Sequence, residues 1–191
     1  MDKEIRNIYI SNDTFMFHML QKSSSWLVLK QFLENPTKKH QIREISRKIN
    51  LATTSVKKHI EKLIQQNLIF EKKDIFKYYQ ANFDNEEFRF YKKINSLITI
   101  KDSGLLEYLE NQTSAEVIIL FGSCAKGEDT QESDLDLYVQ APSKNLNLKN
   151  FEKKINKKIQ LFFYEDINQV PKELRNNILN GIKLAGYLKV F

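Results

Sequence analysis

Asp134 and Asp136 lie two residues apart in the stretch Ser133-Asp134-Leu135-Asp136-Leu137-Tyr138-Val139. On an extended chain that spacing projects both carboxylates from one face, while Leu135, Leu137 and Val139 turn the opposite way into a core. Two like charges so close raise each other's pKa, and a divalent cation such as Mg2+ is the natural compensation. Upstream, the apolar run Val117 to Phe121 leads straight into Gly122-Ser123. Glycine there lets the backbone approach a ligand, and serine offers a hydroxyl and an amide, so phosphate is the fitting partner. A helix beginning just after Ser123, which Cys124-Ala125-Lys126 allows, would add unpaired amides that attract an anion. Each feature alone has an ordinary reading: a Gly-Ser turn is usually only a turn, and an isolated Asp-Leu-Asp is usually a strand entered from a turn.

Positioning these groups requires strands over 117–121 and 135–139, with a third over 159–163 and a helix over 148–155 before it. A helix over 171–179 has Pro near its start and Gly past its end, and 182–184 can add an edge strand. The first half of the chain is patterned differently. Ser23 precedes Trp26, Leu27, Leu29, Phe32 and Leu33, an apolar stripe at helical spacing that stops before Asn35-Pro36. Residues 41–49 read as a short helix with Ile42, Ile45 and Ile49 inward, ending at Asn50. Thr53-Thr54-Ser55 offer capping hydroxyls to a third helix, in which Val56, Ile60, Leu63 and Ile64 point inward and the other face is mostly basic. Leu68-Ile69-Phe70 and residues 76–81 read as a hairpin around a charged turn, 71–74. Phe88, Phe90, Tyr91, Ile94 and Leu97 predict a linking helix toward Ile100, and Leu105 to Leu109 another. Residues 5–20 fit a strand, a short helix or a dimer arm equally.

The composition bounds the function. Of 191 residues, 41% are hydrophobic and 12% aromatic, enough apolar side chain for real cores. With 30 Lys and Arg against 24 Asp and Glu, the net charge of +6 suits a polyanionic partner as well as a merely basic surface. Cys124 is the only cysteine, which excludes an internal disulfide and a paired-cysteine zinc site and fits a reducing cytoplasm. His18, His40 and His59 lack ligand spacing, so packing or surface roles are expected. No apolar run approaches the roughly 18 residues of a membrane span, and the charged start Met1-Asp2-Lys3-Glu4 does not suit a signal peptide.

Together, the strand, Phe121-Gly122-Ser123-Cys124-Ala125-Lys126-Gly127, the spacer to Ser133 and the Asp134-Leu135-Asp136 strand resemble the signature of the DNA polymerase beta-like nucleotidyltransferase superfamily. Within it, the minimal nucleotidyltransferases are the nearest likeness. The resemblance implies that Gly122 and Ser123 hold the triphosphate of an NTP, ATP first, with Lys126 adding charge where the family often has arginine. It implies that Asp134 and Asp136 are the catalytic pair and hold Mg2+ or Mn2+. One departure stands out: the superfamily usually carries a third carboxylate on a later strand, and here that position is Gln160. A neutral amide cannot take a proton at pH 7 or balance a second metal. Glu165 and Asp166 lie past the strand end, where surface or helix-start roles are expected.

Residues Gln41 to Ala81 resemble a winged helix-turn-helix domain, in which the third helix enters the major groove. Thr53, Thr54, Ser55, Lys57 and Lys58 are then the candidates for contact with phosphates or base edges, and Arg43, Lys72 and Lys73 brace the DNA backbone. Amphipathic three-helix units with basic faces also serve as dimerisation pieces. The expected fold class is α/β in the α+β sense: residues 1–85 a winged helix-turn-helix, 86–112 linking helices, and 113–191 a minimal nucleotidyltransferase domain with a small mixed sheet flanked by helices. The resemblance implies nucleotidyl transfer to a protein or nucleic-acid acceptor, with a toxin partner for an antitoxin-type regulator of its own operon, and a homodimer. The rival reading is a DNA-binding transcriptional regulator with a catalytically weak or inactive nucleotide-sensing domain. An enzyme modifying a small molecule such as an aminoglycoside ranks last, because the carboxy-terminal half leaves little room for a substrate domain.

Overall fold

Ser23 accepts the backbone amide of Trp26 at 3.2 Å and so starts helix α1 (Ser24–Glu34), as the serine cluster predicts. The computed structural model describes residues 22–189, so the stretch 5–20 and His18 lie outside the described residues. Trp26, Val28, Leu29, Phe32 and Leu33 of α1 are buried. Helix α2 (Ile42–Ile49) ends at Asn50, which takes the left-handed conformation at φ 51, a conformation asparagine tolerates. Helix α3 (Thr53–Gln65) buries Val56, Ile60 and Leu63. Its cap differs from expectation: Ala52 is the N-cap, and Thr53 to Ser55 form the first turn without a side-chain cap.

Strands β1 (Ile69–Lys73) and β2 (Lys77–Ala81) form an antiparallel pair, with His40 bridging to Tyr79 by two backbone hydrogen bonds of 2.9 and 2.8 Å. Here the turn is shifted relative to the sequence reading. Glu71, Lys72 and Lys73 belong to β1, and the bend is Asp74-Ile75-Phe76. A two-stranded ribbon is solvated on much of its surface, so charged residues continue the strand, and the apolar pair Ile75-Phe76 is left at the tip. The chain divides between Asn85 and Glu86 into two compact units.

In the second unit, Gly104 at φ 78 separates helix α4 (Glu86–Ser103) from helix α5 (Leu105–Thr113). Both pack with the sheet: Ile100, Leu105 and Leu109 share one core with Ile118, Leu120, Leu135 and Leu137. The segment 86–112 is thus part of this unit's core. Strand β3 (Val117–Phe121) is buried at all five positions and lies inside a four-stranded sheet of order β5-β4-β3-β6. Strand β4 (Leu135–Gln140) and strand β6 (Ile182–Gly186) run antiparallel to β3, whereas strand β5 (Ile159–Tyr164) runs parallel to β4. The short helix α6 (Gly122–Lys126), helix α7 (Lys149–Ile155) and helix α8 (Lys172–Leu179) complete the unit.

Alternate residues of β3 feed two layers. Ile118 and Leu120 join the core with α4 and α5, and Val117, Ile119 and Phe121 join a second core with Tyr138, Ile167, Val170 and Ile178. That double burial explains why 117–121 is an unbroken apolar run. It also qualifies the reading of β4: its aspartate face is solvated only at the start, because Tyr138 on that same face is fully buried. The architecture is a mixed α+β fold, with a helical first unit and a sheet-and-helix second unit. Among the described residues, no helix is long and apolar enough to cross a membrane.

Candidate nucleotide site

The antiparallel register of β3 and β4 sets Phe121 opposite Asp136, so the chain leaving β3 passes over that carboxylate. Gly122 makes the passage at φ +72, and a Cβ added there would collide with Asp136 Oδ2. A side chain there would be strained by the left-handed backbone and would push the Asp136 carboxylate aside, so glycine is favoured and the bend meets Asp136 in space. Asp136 has its pKa raised, first by burial and then by the charge of Asp134. A bound cation relieves both effects by favouring the charged form.

Helix α6 begins at Gly122 itself, two residues earlier than expected, with the extended Phe121 as its N-cap. The Ser123 carbonyl accepts the Glu128 amide at 3.0 Å, while the Ser123 side chain remains half-buried beside the bend. The thiol of Cys124 donates to the Asp134 carbonyl at 3.4 Å and ties α6 to the head of β4. Burial pushes that thiol up to about 12, so it serves packing rather than nucleophilic chemistry. Lys126 is exposed in the single turn of α6.

The parallel register of β4 and β5 sets Gln160 beside Asp136, and its amide Nε2 donates to Asp134 Oδ2. The third strand thus offers the acidic pair an amide. Asp166 Oδ1 accepts the Asn168 amide at 2.7 Å and caps the short turn Ile167–Gln169, a helix-start role as expected, and Glu165 is exposed past the strand end. Among the described residues, no group of three or more His, Cys, Asp or Glu side chains converges as a metal site. Mg2+ commonly uses one or two carboxylates and takes its remaining ligands from phosphates and water. Asp134 and Asp136 fit one such ion, and a second ion would lack its acid.

Sequence reasoning missed a buried ion cluster behind the loop. Lys92 Nζ of α4 and Lys157 Nζ after α7 both lie 3.1 Å from Asp129 Oδ2. The Lys92 and Asp129 side chains are 3% and 5% exposed. Lys157 also donates to the carbonyls of Thr130 and Ser133, and the Thr130 amide donates to Ser133 Oγ at 2.9 Å. Gly127, at φ +73, packs so closely on the Arg89 carbonyl of α4 that a side chain there would collide with it. The loop from the Gly-Ser bend to the Asp pair is therefore tethered along its length. Burial lowers the Lys92 pKa despite the attraction of Asp129, and Asp129 Oδ1 is buried without a hydrogen-bond partner among the described residues. Only the position of Asp129 in the spacer hinted at this, since its partners are remote in sequence.

The remaining candidates lie in the first unit. Arg43, Thr53, Thr54, Lys57, Lys58, Lys72 and Lys73 are exposed, and Ser55 is half-buried at the start of α3. Lys57 lies 3.8 Å from Glu61, and Lys72 sits over the Phe70 ring at 5.8 Å. Charge is partitioned sharply: residues 22–85 carry 13 Lys and Arg against 6 Asp and Glu, whereas residues 86–191 carry 15 of each. His40 is buried, packs against Phe32 with ring centroids 4.7 Å apart at a tilted angle, and places Nε2 3.0 Å from the Asn35 carbonyl. It has a packing role, and His59 Nε2 pairs with Ser24 Oγ at 2.9 Å.

Residues 104–186 match the family model described as Polymerase beta, Nucleotidyltransferase, a span that contains Gly122, Ser123, Asp134, Asp136 and Gln160. This stretch is similar to nucleotidyltransferase-superfamily domains. Comparison with curated proteins and with solved structures gives no match.

Proposed function

We propose that the second unit binds a nucleoside triphosphate, ATP first, with Mg2+ or Mn2+ and transfers its nucleotidyl group to a protein hydroxyl or a nucleic-acid end. The observation that carries this reading is the contact of Gly122 with Asp136: a bend able to approach phosphate lies against a carboxylate able to hold its counter-ion. In this reading the Gly122 and Ser123 amides and the Ser123 hydroxyl orient the triphosphate, and Lys126 adds a point charge. Asp134 and Asp136 are the catalytic pair and hold the metal. When bound, the ion neutralises charge on the phosphates and orients the leaving pyrophosphate. Gln160 cannot accept the acceptor's proton, so turnover is expected to be slow.

The proposal extends to the first unit as a winged helix-turn-helix. Helix α3 would enter the major groove, with Thr53, Thr54, Ser55, Lys57 and Lys58 at phosphates or base edges and Arg43, Lys72 and Lys73 on the backbone. The positive surplus of residues 22–85 supports DNA as the partner. The combined role is a cytoplasmic, homodimeric, antitoxin-type regulator that modifies a protein partner and controls its own operon.

Incubation with α-labelled ATP, Mg2+ and candidate acceptors tests the transfer: label should move, and should stop moving in Asp134→Ala and Asp136→Ala. The hydrogen bond from Gln160 to Asp134 favours a second reading, a regulator that senses nucleotide without turning it over. Magnesium-dependent binding with no transfer to any acceptor decides for that reading.

A further inference from the structure

Hairpin bends in solvent are normally built from glycine, asparagine, aspartate or proline. This one presents Ile75 and Phe76 side by side, 82% and 70% exposed, with the Asp74 amide donating to the Phe76 carbonyl at 3.3 Å to close the bend. Two adjacent large apolar side chains at a tip bury little in their own unit, which points to a use with a partner. What surrounds them is cationic. The hairpin's acids are already engaged, Glu71 with Lys77 at 2.7 Å and Asp74 with Lys39 at 3.6 Å. Lys72 and Lys73 are exposed on β1, and Arg43 shares with Phe76 and Tyr79 a cleft of about 240 Å³.

We propose that Ile75 and Phe76 form a wedge that enters the minor groove of duplex DNA and parts a base step, while Lys72, Lys73, Lys77 and Arg43 engage the flanking phosphates. This rests on the DNA-binding reading and adds to it a mode of contact and a distortion of the ligand. Apolar side chains of this kind unstack base steps and kink the duplex, and the phosphates lining the groove attract the exposed cations around the tip. Pyrimidine–purine steps, which unstack most readily, are the expected targets.

A second copy of the chain is the poorer occupant. Two side chains fall far short of the roughly 800 Å² per partner of a stable interface. The like-charged surroundings of two such tips, each in a stretch with 13 Lys and Arg against 6 Asp and Glu, would also repel.

The test uses the full chain and a mixed-sequence duplex of about 30 base pairs carrying 2-aminopurine beside TA steps. Anisotropy gives affinity and its salt dependence, and 2-aminopurine fluorescence reports unstacking. The wild type should bind and raise the fluorescence. The double variant Ile75→Ser/Phe76→Ser keeps its fold, checked by circular dichroism, because both side chains are exposed. It should lose the fluorescence rise and bind about tenfold more weakly with an unchanged salt slope. Lys57→Ala/Lys58→Ala should flatten the salt slope by about one per lysine and keep the fluorescence rise in the bound complex.

Equal affinity and equal unstacking in the double variant overturn the wedge and leave DNA binding standing. Absence of any duplex binding at about 50 mM salt overturns both. A sedimentation coefficient of the DNA-free protein that falls in the double variant shows self-association at the tip and overturns the wedge as well.

Discussion

Replacing Asp129 with alanine should destabilise the second unit far more than replacing Lys92 with methionine, although the two residues share one ion pair. Two ammonium groups lie 3.1 Å from a single carboxylate oxygen. At an effective dielectric near 20, each contact represents about 5 kcal/mol of Coulomb attraction before desolvation is counted. Removing Asp129 forfeits both contacts and leaves the buried Lys92 and the partly buried Lys157 without their shared carboxylate, which places the net cost at about 3–5 kcal/mol. Removing Lys92 leaves a balanced pair, Asp129 with Lys157, and takes away an ammonium that burial already holds below its ordinary pKa. A folded-state pKa lowered in this way means that the charged Lys92 is held at a net disadvantage at neutral pH, so Lys92→Met should stay within about 1 kcal/mol of the wild type. Trp26, the only tryptophan, reports on the first unit. The assay is therefore urea unfolding read by pulsed hydrogen exchange of peptides from β3 and β4. A Lys92→Met cost equal to that of Asp129→Ala would refute this electrostatic account of the loop tether.

Gly122→Ala forces a side chain into left-handed backbone and onto the Asp136 carboxylate, and should cost about 1–2 kcal/mol of stability and at least about tenfold in nucleotide affinity by calorimetry. Gln160→Glu exchanges an amide donor for a third carboxylate. Without metal it should lower the melting temperature, and manganese binding followed by electron paramagnetic resonance should tighten by about tenfold. Burial lowers the His40 pKa, so the fold holds the neutral ring. Its stabilisation is complete above about pH 6.5 and is lost as pH falls through the lowered folded-state value. Trp26 fluorescence during urea unfolding at pH 7.5 and pH 5 should show that loss, and His40→Gln should remove most of it.

The candidate site is legible in the sequence because its signals are local. Alternation on β4 places Asp134 and Asp136 on one face, the apolar run marks β3, and the departure at Gln160 can be read from its place on the next strand. Even the need for glycine at 122 follows from the turn, although its collision partner does not. What stays hidden depends on partners distant in the chain. Asp129 looks like any spacer aspartate until the fold brings Lys92 and Lys157 to it. The hairpin is misread in part because hydrophobicity assigns Phe76 to a strand and charge assigns residues 71–73 to the turn, whereas in the solvated two-stranded ribbon 71–73 continue the strand and Phe76 lies in the bend. Thr53 to Ser55 have the composition of a helix start but lie one step inside it, where their side chains make no cap.

Titration calorimetry of the wild type with a non-hydrolysable ATP analogue, with and without Mg2+, tests the central claim most directly. The geometry of Gly122, Asp134 and Asp136 predicts binding that requires magnesium and disappears in Asp134→Ala/Asp136→Ala. Heat of binding that is indifferent to magnesium, unchanged in the double variant, or absent for every nucleoside triphosphate would contradict it.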